Sequence, residues 1–166
     1  MGLLRRSGPK LPPLVPVPPI AELPPAKLQA SARYLGTVDE AGERVVGQSL
    51  AAKSSTRLSL SAEALDVIRI AGSFRIPVPA LRGARRGERF GGKPVRDLLL
   101  VRWTHDGRDW ETGFRMEAAR SVRDVAKAPL GSGTAAVRPE VDVWVRTISK
   151  LARTHSHHES RTEGNA

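Results

Sequence analysis

The stretch Asp97–Arg115, reading DLLLVRW, then THDG, then RDWETGFR, decides the fold. Two short runs rich in β-branched, aromatic and leucine residues flank Thr104-His105-Asp106-Gly107. The Asp-Gly pair supplies the positive-φ positions whose twist matches that of paired strands, so the stretch is predicted to be an antiparallel hairpin. Upstream, the chain continues in the same style. Ala32–Val38 (ARYLGTV), Thr56–Ser61, Leu65–Ile70 (LDVIRI) and Phe74–Pro77 are short runs separated by turn residues. The separations are too short for helical crossovers, which points to an antiparallel barrel or sandwich. Alternation places Leu58 and Leu60 inward, and Leu65, Val67 and Arg69 on the face opposite Asp66, Ile68 and Ile70.

Downstream, a helix is predicted over 139–153. Pro139 suits the first helical position, Glu140 and Asp142 sit at the positive end of the helix dipole, and Lys150 and Arg153 at the negative end. Val141, Trp144, Val145, Ile148, Leu151 and Ala152 form one apolar stripe. Glu117–Ala128 has helical composition and is expected to be a short helix, broken by Gly131-Ser132-Gly133. The fold class expected is therefore mainly β: a barrel of about seven antiparallel strands capped by a C-terminal amphipathic helix. The expected organisation is a proline-rich linker over 1–30, one domain over 31–153 with an insertion at 116–138, and a disordered tail over 154–166.

Composition narrows the chemistry. The chain has 166 residues, enough for one domain with a proper core, and no cysteine, which removes disulfides, cysteine zinc sites, thiol nucleophiles and iron–sulfur clusters. Its 27 Lys and Arg against 17 Asp and Glu give a formal charge of +10, which calls for an anionic partner. Eight of the thirteen prolines fall in the first 30 residues. A segment so poor in backbone donors favours polyproline II and is not a transmembrane helix, and it has no signal-peptide h-region. A semi-rigid spacer is the expected role, with a docking ligand for an aromatic groove as the alternative. The polar tail carries His155, His157 and His158, but without a rigid surrounding shell these make no metal site.

Several segments, in order, resemble the bacterial pleckstrin-homology-like domain family of actinobacteria. They are Arg33-Tyr34-Leu35-Gly36-Thr37, Thr56–Ser61 (TRLSLS), Ile76–Arg86 (IPVPALRGARR), Leu99–Trp103 (LLVRW), Gly113-Phe114-Arg115 and Trp144-Val145. The resemblance covers about Ala32 to Leu151. It implies a PH-like barrel at the cytoplasmic side of the membrane and no established enzymatic chemistry. Members of that family usually carry an N-terminal transmembrane helix and a proline-rich linker. This chain starts near that linker, and Gly2-Leu3-Leu4-Arg5-Arg6 has the character of a span's stub with basic residues just inside. The segment 116–138 is longer than the family's connection. The phosphoinositide signature of eukaryotic relatives is not met, since Lys53 leads to Arg57 but Ser59 stands where a second basic residue belongs.

No catalytic constellation stands out. Gly87–Lys93 has the spacing of a phosphate loop, yet Pro94 replaces the Ser or Thr that would hold Mg²⁺, and the loop opens a strand. His105 beside Asp106 reads as a solvated turn residue, and Asp106 and Asp109 as turn formers. Charge position is the informative feature. Between Arg69 and Arg108 lie ten basic and three acidic residues, seven of the chain's ten excess charges. Its densest part is Arg82, Arg85, Arg86, Arg89 and Lys93, read as a Gly-rich connection and as the expected anionic-surface site. The expectation is a non-enzymatic module that needs no cofactor and binds an anionic membrane surface or a protein partner. A nucleic-acid-binding barrel using the same arginines is the alternative, weakened because Phe74, Trp103, Trp110 and Trp144 are better placed in the core than on a stacking surface.

Overall fold

A computed structural model describes residues 9, 11–48, 50–117 and 139–163. Seven strands run antiparallel in one sheet: β1 (Ala26–Val38), β2 (Ser54–Ser61), β3 (Ala64–Arg69), β4 (Phe74–Pro77), β5 (Leu81–Phe90), β6 (Lys93–His105) and β7 (Arg108–Met116). Their order across the sheet is β4-β3-β2-β1-β7-β6-β5. A 3-10 turn over Val78–Ala80 links the two end strands, and helix α1 (Pro139–Glu163) lies against β5 and that turn. This is the seven-stranded, helix-capped architecture the sequence implied, mainly β and PH-like.

The decisive hairpin forms with a tighter turn than THDG suggests. His105 pairs with Arg108, leaving Asp106 and Gly107 as the two turn residues, both at positive φ (53° and 74°). The β5–β6 hairpin uses the same device at Gly91 and Gly92 (φ 59° and 78°).

One contiguous core fills the concave side. Leu58, Leu60, Leu65 and Val67 point inward as alternation requires, joined by Phe74, Trp103, Trp110 and Phe114. From α1, Val141, Trp144, Ile148 and Ala152 close it, and Ser149 exchanges hydrogen bonds with the Ala84 backbone of β5. Through this core runs a directed chain of hydrogen bonds. Trp103 Nε1 donates to Thr112 Oγ1 at 3.0 Å, Thr112 and Thr37 share a hydrogen bond of 2.9 Å, Thr37 and Tyr34 share one of 2.8 Å, and the Tyr34 hydroxyl donates to the Leu50 carbonyl at 2.9 Å. A carbonyl can only accept and an indole N–H only donate, so every hydroxyl hydrogen in the chain has one assignment. Arg69 points inward too, its guanidinium 4.0 Å over the Tyr34 ring and its Nε donating to Ser54 Oγ. Burial pushes the Arg69 guanidinium below its ordinary pKa and raises the Tyr34 phenol to about 12.

Four expectations need correction. First, the segment over 1–30 is not simply a linker. Ala26–Ala30 belong to β1, Leu11 is buried in the core, and the Val15 carbonyl accepts from Arg75 N on β4. Prolines prevent an α-helix but still allow an extended strap whose leucines and carbonyls find partners. Second, His105 is not a solvated turn residue. It ends β6, and its Nε2 donates to the strap carbonyls of Pro12 and Pro13 at 3.2 and 3.0 Å. Third, Arg82–Arg89 is strand β5 and not a connection. Its glycines and uninterrupted polar run hide the alternation, but Asp97–Trp103 supplies a pairing partner along most of its length. Fourth, α1 continues through residues 154–163, where disorder was expected. Thr154 and Ser156 bond back to the carbonyls of Lys150 and Ala152, so a helix nucleated by its packed half propagates into polar sequence. Of the expected short helix over 117–128, Glu117 is described and lies outside any helix, and the rest falls outside the described residues.

Candidate functional site

The outer face of the sheet carries a second, small apolar layer. Leu35 on β1 and Leu98 and Leu100 on β6 are buried there, with Phe90 and Val95 packed on them. The β5–β6 hairpin can fold this close because glycines lie beneath it. A Cβ on Gly113 would stand 2.8 Å from the Phe90 ring, and one on Gly87 2.6 Å from Leu100 Cδ1. At Gly36 a Cβ would meet the Arg44 guanidinium at 2.8 Å.

Beside this layer opens a groove of about 710 Å³, floored by Leu35, Phe90 and Val95. Its polar walls are Arg33, Arg44, Lys53, Lys93, Arg96 and Arg115, and no carboxylate lines it. They arrive from four places along the chain. Arg33 and Arg115 are outward positions of β1 and β7, since their neighbours Ala32, Tyr34, Phe114 and Met116 face the core. Arg44 and Lys53 come from the β1–β2 connection, and Lys93 and Arg96 open β6. Among the described residues none of the six has an acidic partner: the ion pairs of the structure belong to Arg75, Arg85, Arg86 and Arg108. Arg44 is held in place by donating to the Leu35 carbonyl and by lying 5.8 Å over the Phe90 ring.

Arg33 and Arg115 are direct cross-strand partners. Directly opposed residues on one face have Cβ atoms about 4.5–5.5 Å apart, a spacing at which like charges destabilise the sheet. A second feature shares this side of the sheet. Ile70, in the turn just after β3, is fully exposed and borders a shallow depression with Ser55, Arg57 and Ile68. Ser55 in turn pairs with Arg33.

Of the residues singled out from sequence, only Lys93 lies in the groove. Arg85 forms a two-pronged pair with Glu111 at 3.1 and 3.2 Å. Arg86 faces Asp97 at 3.9 Å and Asp142 at 3.6 Å. Arg82 donates to the Pro79 carbonyl and Arg89 to that of Gly92. The phosphate-loop-like stretch Gly87–Lys93 forms the end of β5 and the tip of its hairpin. Sequence reasoning set Lys53 aside with the unmet phosphoinositide signature and passed over Arg33, Arg44, Arg96 and Arg115, because a charge window counts neighbours along the chain, whereas register brings Arg33 against Arg115. The available signal was that both are the polar positions of otherwise apolar, alternating strands.

Residues 11–129 match the bacterial PH domain-like family. The chain belongs to that family. The matched span takes in the proline-rich strap and all seven strands, and stops short of α1. No curated protein matches the sequence. Domains of the bacterial PH-like kind are generally non-catalytic interaction modules. In this member no described helix is long and apolar enough to cross a membrane.

Proposed function

We propose that this PH-like domain is a non-enzymatic module that docks the outer face of its sheet on an anionic membrane surface at the cytoplasmic side. The observation that carries the reading is the groove with six cations and no carboxylate. Each basic residue close to an anionic leaflet contributes roughly 1 kcal/mol, so six gathered around one groove give an attraction that isolated, ion-paired arginines cannot. The exposed Ile70 on the same side offers an apolar contact at the headgroup level. Arg82, Arg85, Arg86 and Arg89 lie along β5 beside the groove and add to the field at longer range, while Lys93 contacts the surface directly.

Co-sedimentation with phosphatidylglycerol vesicles across a salt series tests this. Binding should exceed that to phosphatidylcholine vesicles and weaken as salt rises. The double variant Lys93→Gln/Arg96→Gln removes about 2 kcal/mol of attraction, roughly thirtyfold in affinity. Equal pelleting with zwitterionic vesicles would sink the proposal. Tighter salt-dependent binding to duplex or single-stranded nucleic acid than to vesicles would replace it with the nucleic-acid reading.

A further inference from the structure

We infer that the groove is a specific binding site for a phosphomonoester, with Arg33 and Arg115 as the pair that grips its doubly charged phosphate. The inference rests on the anionic-surface reading for the same groove but makes a narrower claim about chemistry. A surface that only needs diffuse charge is served by cations spread apart. Here two arginines stand directly opposite each other across β1 and β7, where their mutual repulsion works against the sheet. An anion between them turns that repulsion into two favourable contacts. Guanidinium groups present planar, paired N–H donors that match the oxygens of a phosphate, and a monoester with two negative charges compensates both arginines where a singly charged diester compensates one.

The remaining walls fit the same ligand. Arg44 is already oriented by the Leu35 carbonyl and the Phe90 ring, so little freedom is lost when it meets an anion. Lys53 and Lys93 bring mobile charges from two other elements. Leu35, Phe90 and Val95 give an apolar floor, which suits the carbon skeleton that carries the phosphate and strengthens the electrostatics beside it. A volume of about 710 Å³ is that of a small-molecule site. The phosphomonoester could be a lipid headgroup or a soluble metabolite, and the two sources are separable by experiment.

The full chain is titrated, at constant ionic strength, with glycerol 3-phosphate and with the diester glycerophosphocholine, following the thermal unfolding midpoint. Binding to phosphatidic acid vesicles is then compared with binding to phosphatidylglycerol vesicles of matched charge. A saturable rise in midpoint with the monoester and none with the diester is expected. Preference for phosphatidic acid identifies a headgroup as the source, and equal vesicle binding alongside the soluble response identifies a free phosphate. Arg33→Gln and Arg115→Gln should each weaken monoester binding by about tenfold or more, and Arg115→Gln should raise the midpoint in ligand-free buffer because the repulsion is gone. Arg146→Gln, at an exposed position of α1 that does not line the groove, should change neither. Equal responses to monoester and diester, or no response to either together with no preference for phosphatidic acid, would overturn the inference while leaving a salt-sensitive affinity for anionic vesicles intact. Loss of all vesicle binding with the soluble response retained would instead overturn the surface reading alone.

Discussion

Alkaline pH should destabilise this domain through a single hydroxyl. The chain has one tyrosine, and Tyr34 is fully buried as the last donor of the hydrogen-bond chain that starts at Trp103. Removing its proton leaves a phenolate facing the Leu50 carbonyl in the core. Burial therefore raises the pKa from 10 to about 12, with the Thr37 hydroxyl and the Arg69 and Arg44 charges pulling partly the other way. In the unfolded chain the group titrates near its ordinary value of about 10. Below that pH both states keep the proton and the stability is fully present. Between 10 and about 12 the unfolded state loses its proton first, and stability falls by about 1.4 kcal/mol per pH unit, roughly 3 kcal/mol across the window. That is a large share of the 5–15 kcal/mol of an ordinary domain. The assay is twofold: tyrosinate absorbance against pH, which reports one residue, and urea midpoints across the same range. Tyr34→Phe should abolish the absorbance change and flatten the tyrosine-dependent part of the stability slope. Thr37→Val, which leaves the Tyr34 oxygen without its donor and Thr112 without its acceptor, should cost roughly 2–4 kcal/mol at neutral pH. A tyrosinate midpoint near 10 in protein that is still folded by circular dichroism would refute the reasoning.

Two further outcomes follow from the packing. Trp144→Ala removes the largest side chain that α1 places in the core and should cost about 3–5 kcal/mol in urea unfolding; a loss under about 1 kcal/mol would mean that the helix does not seal the core. Gly113→Ala puts a methyl 2.8 Å from the Phe90 ring, so the ring must shift on the groove floor. A modest stability loss of about 1–3 kcal/mol should accompany weaker vesicle binding, and unchanged binding would show that the floor plays no part in it.

The fold was legible wherever a local rule applied. The Asp106-Gly107 turn, the inward Leu58 and Leu60, and the Trp144 and Ile148 stripe each followed from a twist or a period. What escaped was set by pairing partners far along the chain. Strand β5 has little strand propensity of its own and is held by β6. The strap finds its partners in Gln48, Arg75 and His105, which are remote in sequence. The groove escaped for the same reason: Arg33 and Arg115 are neighbours only through register. The charge window located Lys93 and then collected arginines that the fold assigns to Glu111, Asp97 and Asp142.

The proline strap has a consequence for how the domain can associate. Strand β4 ends the sheet and would ordinarily offer its backbone to any passing extended peptide. Val15 meets it at one residue, accepting from Arg75 N, while Pro12, Pro13 and Pro16 have no N–H with which to extend the pairing. The strap thus satisfies this end of the sheet without becoming an eighth strand that could recruit a ninth. At the other end, Ser149 of α1 occupies the backbone of Ala84 on β5. With a contact at each end, strand addition there meets an occupied backbone, and recognition is directed to the broad faces, of which the inner one is filled by the core and the outer one carries the cations.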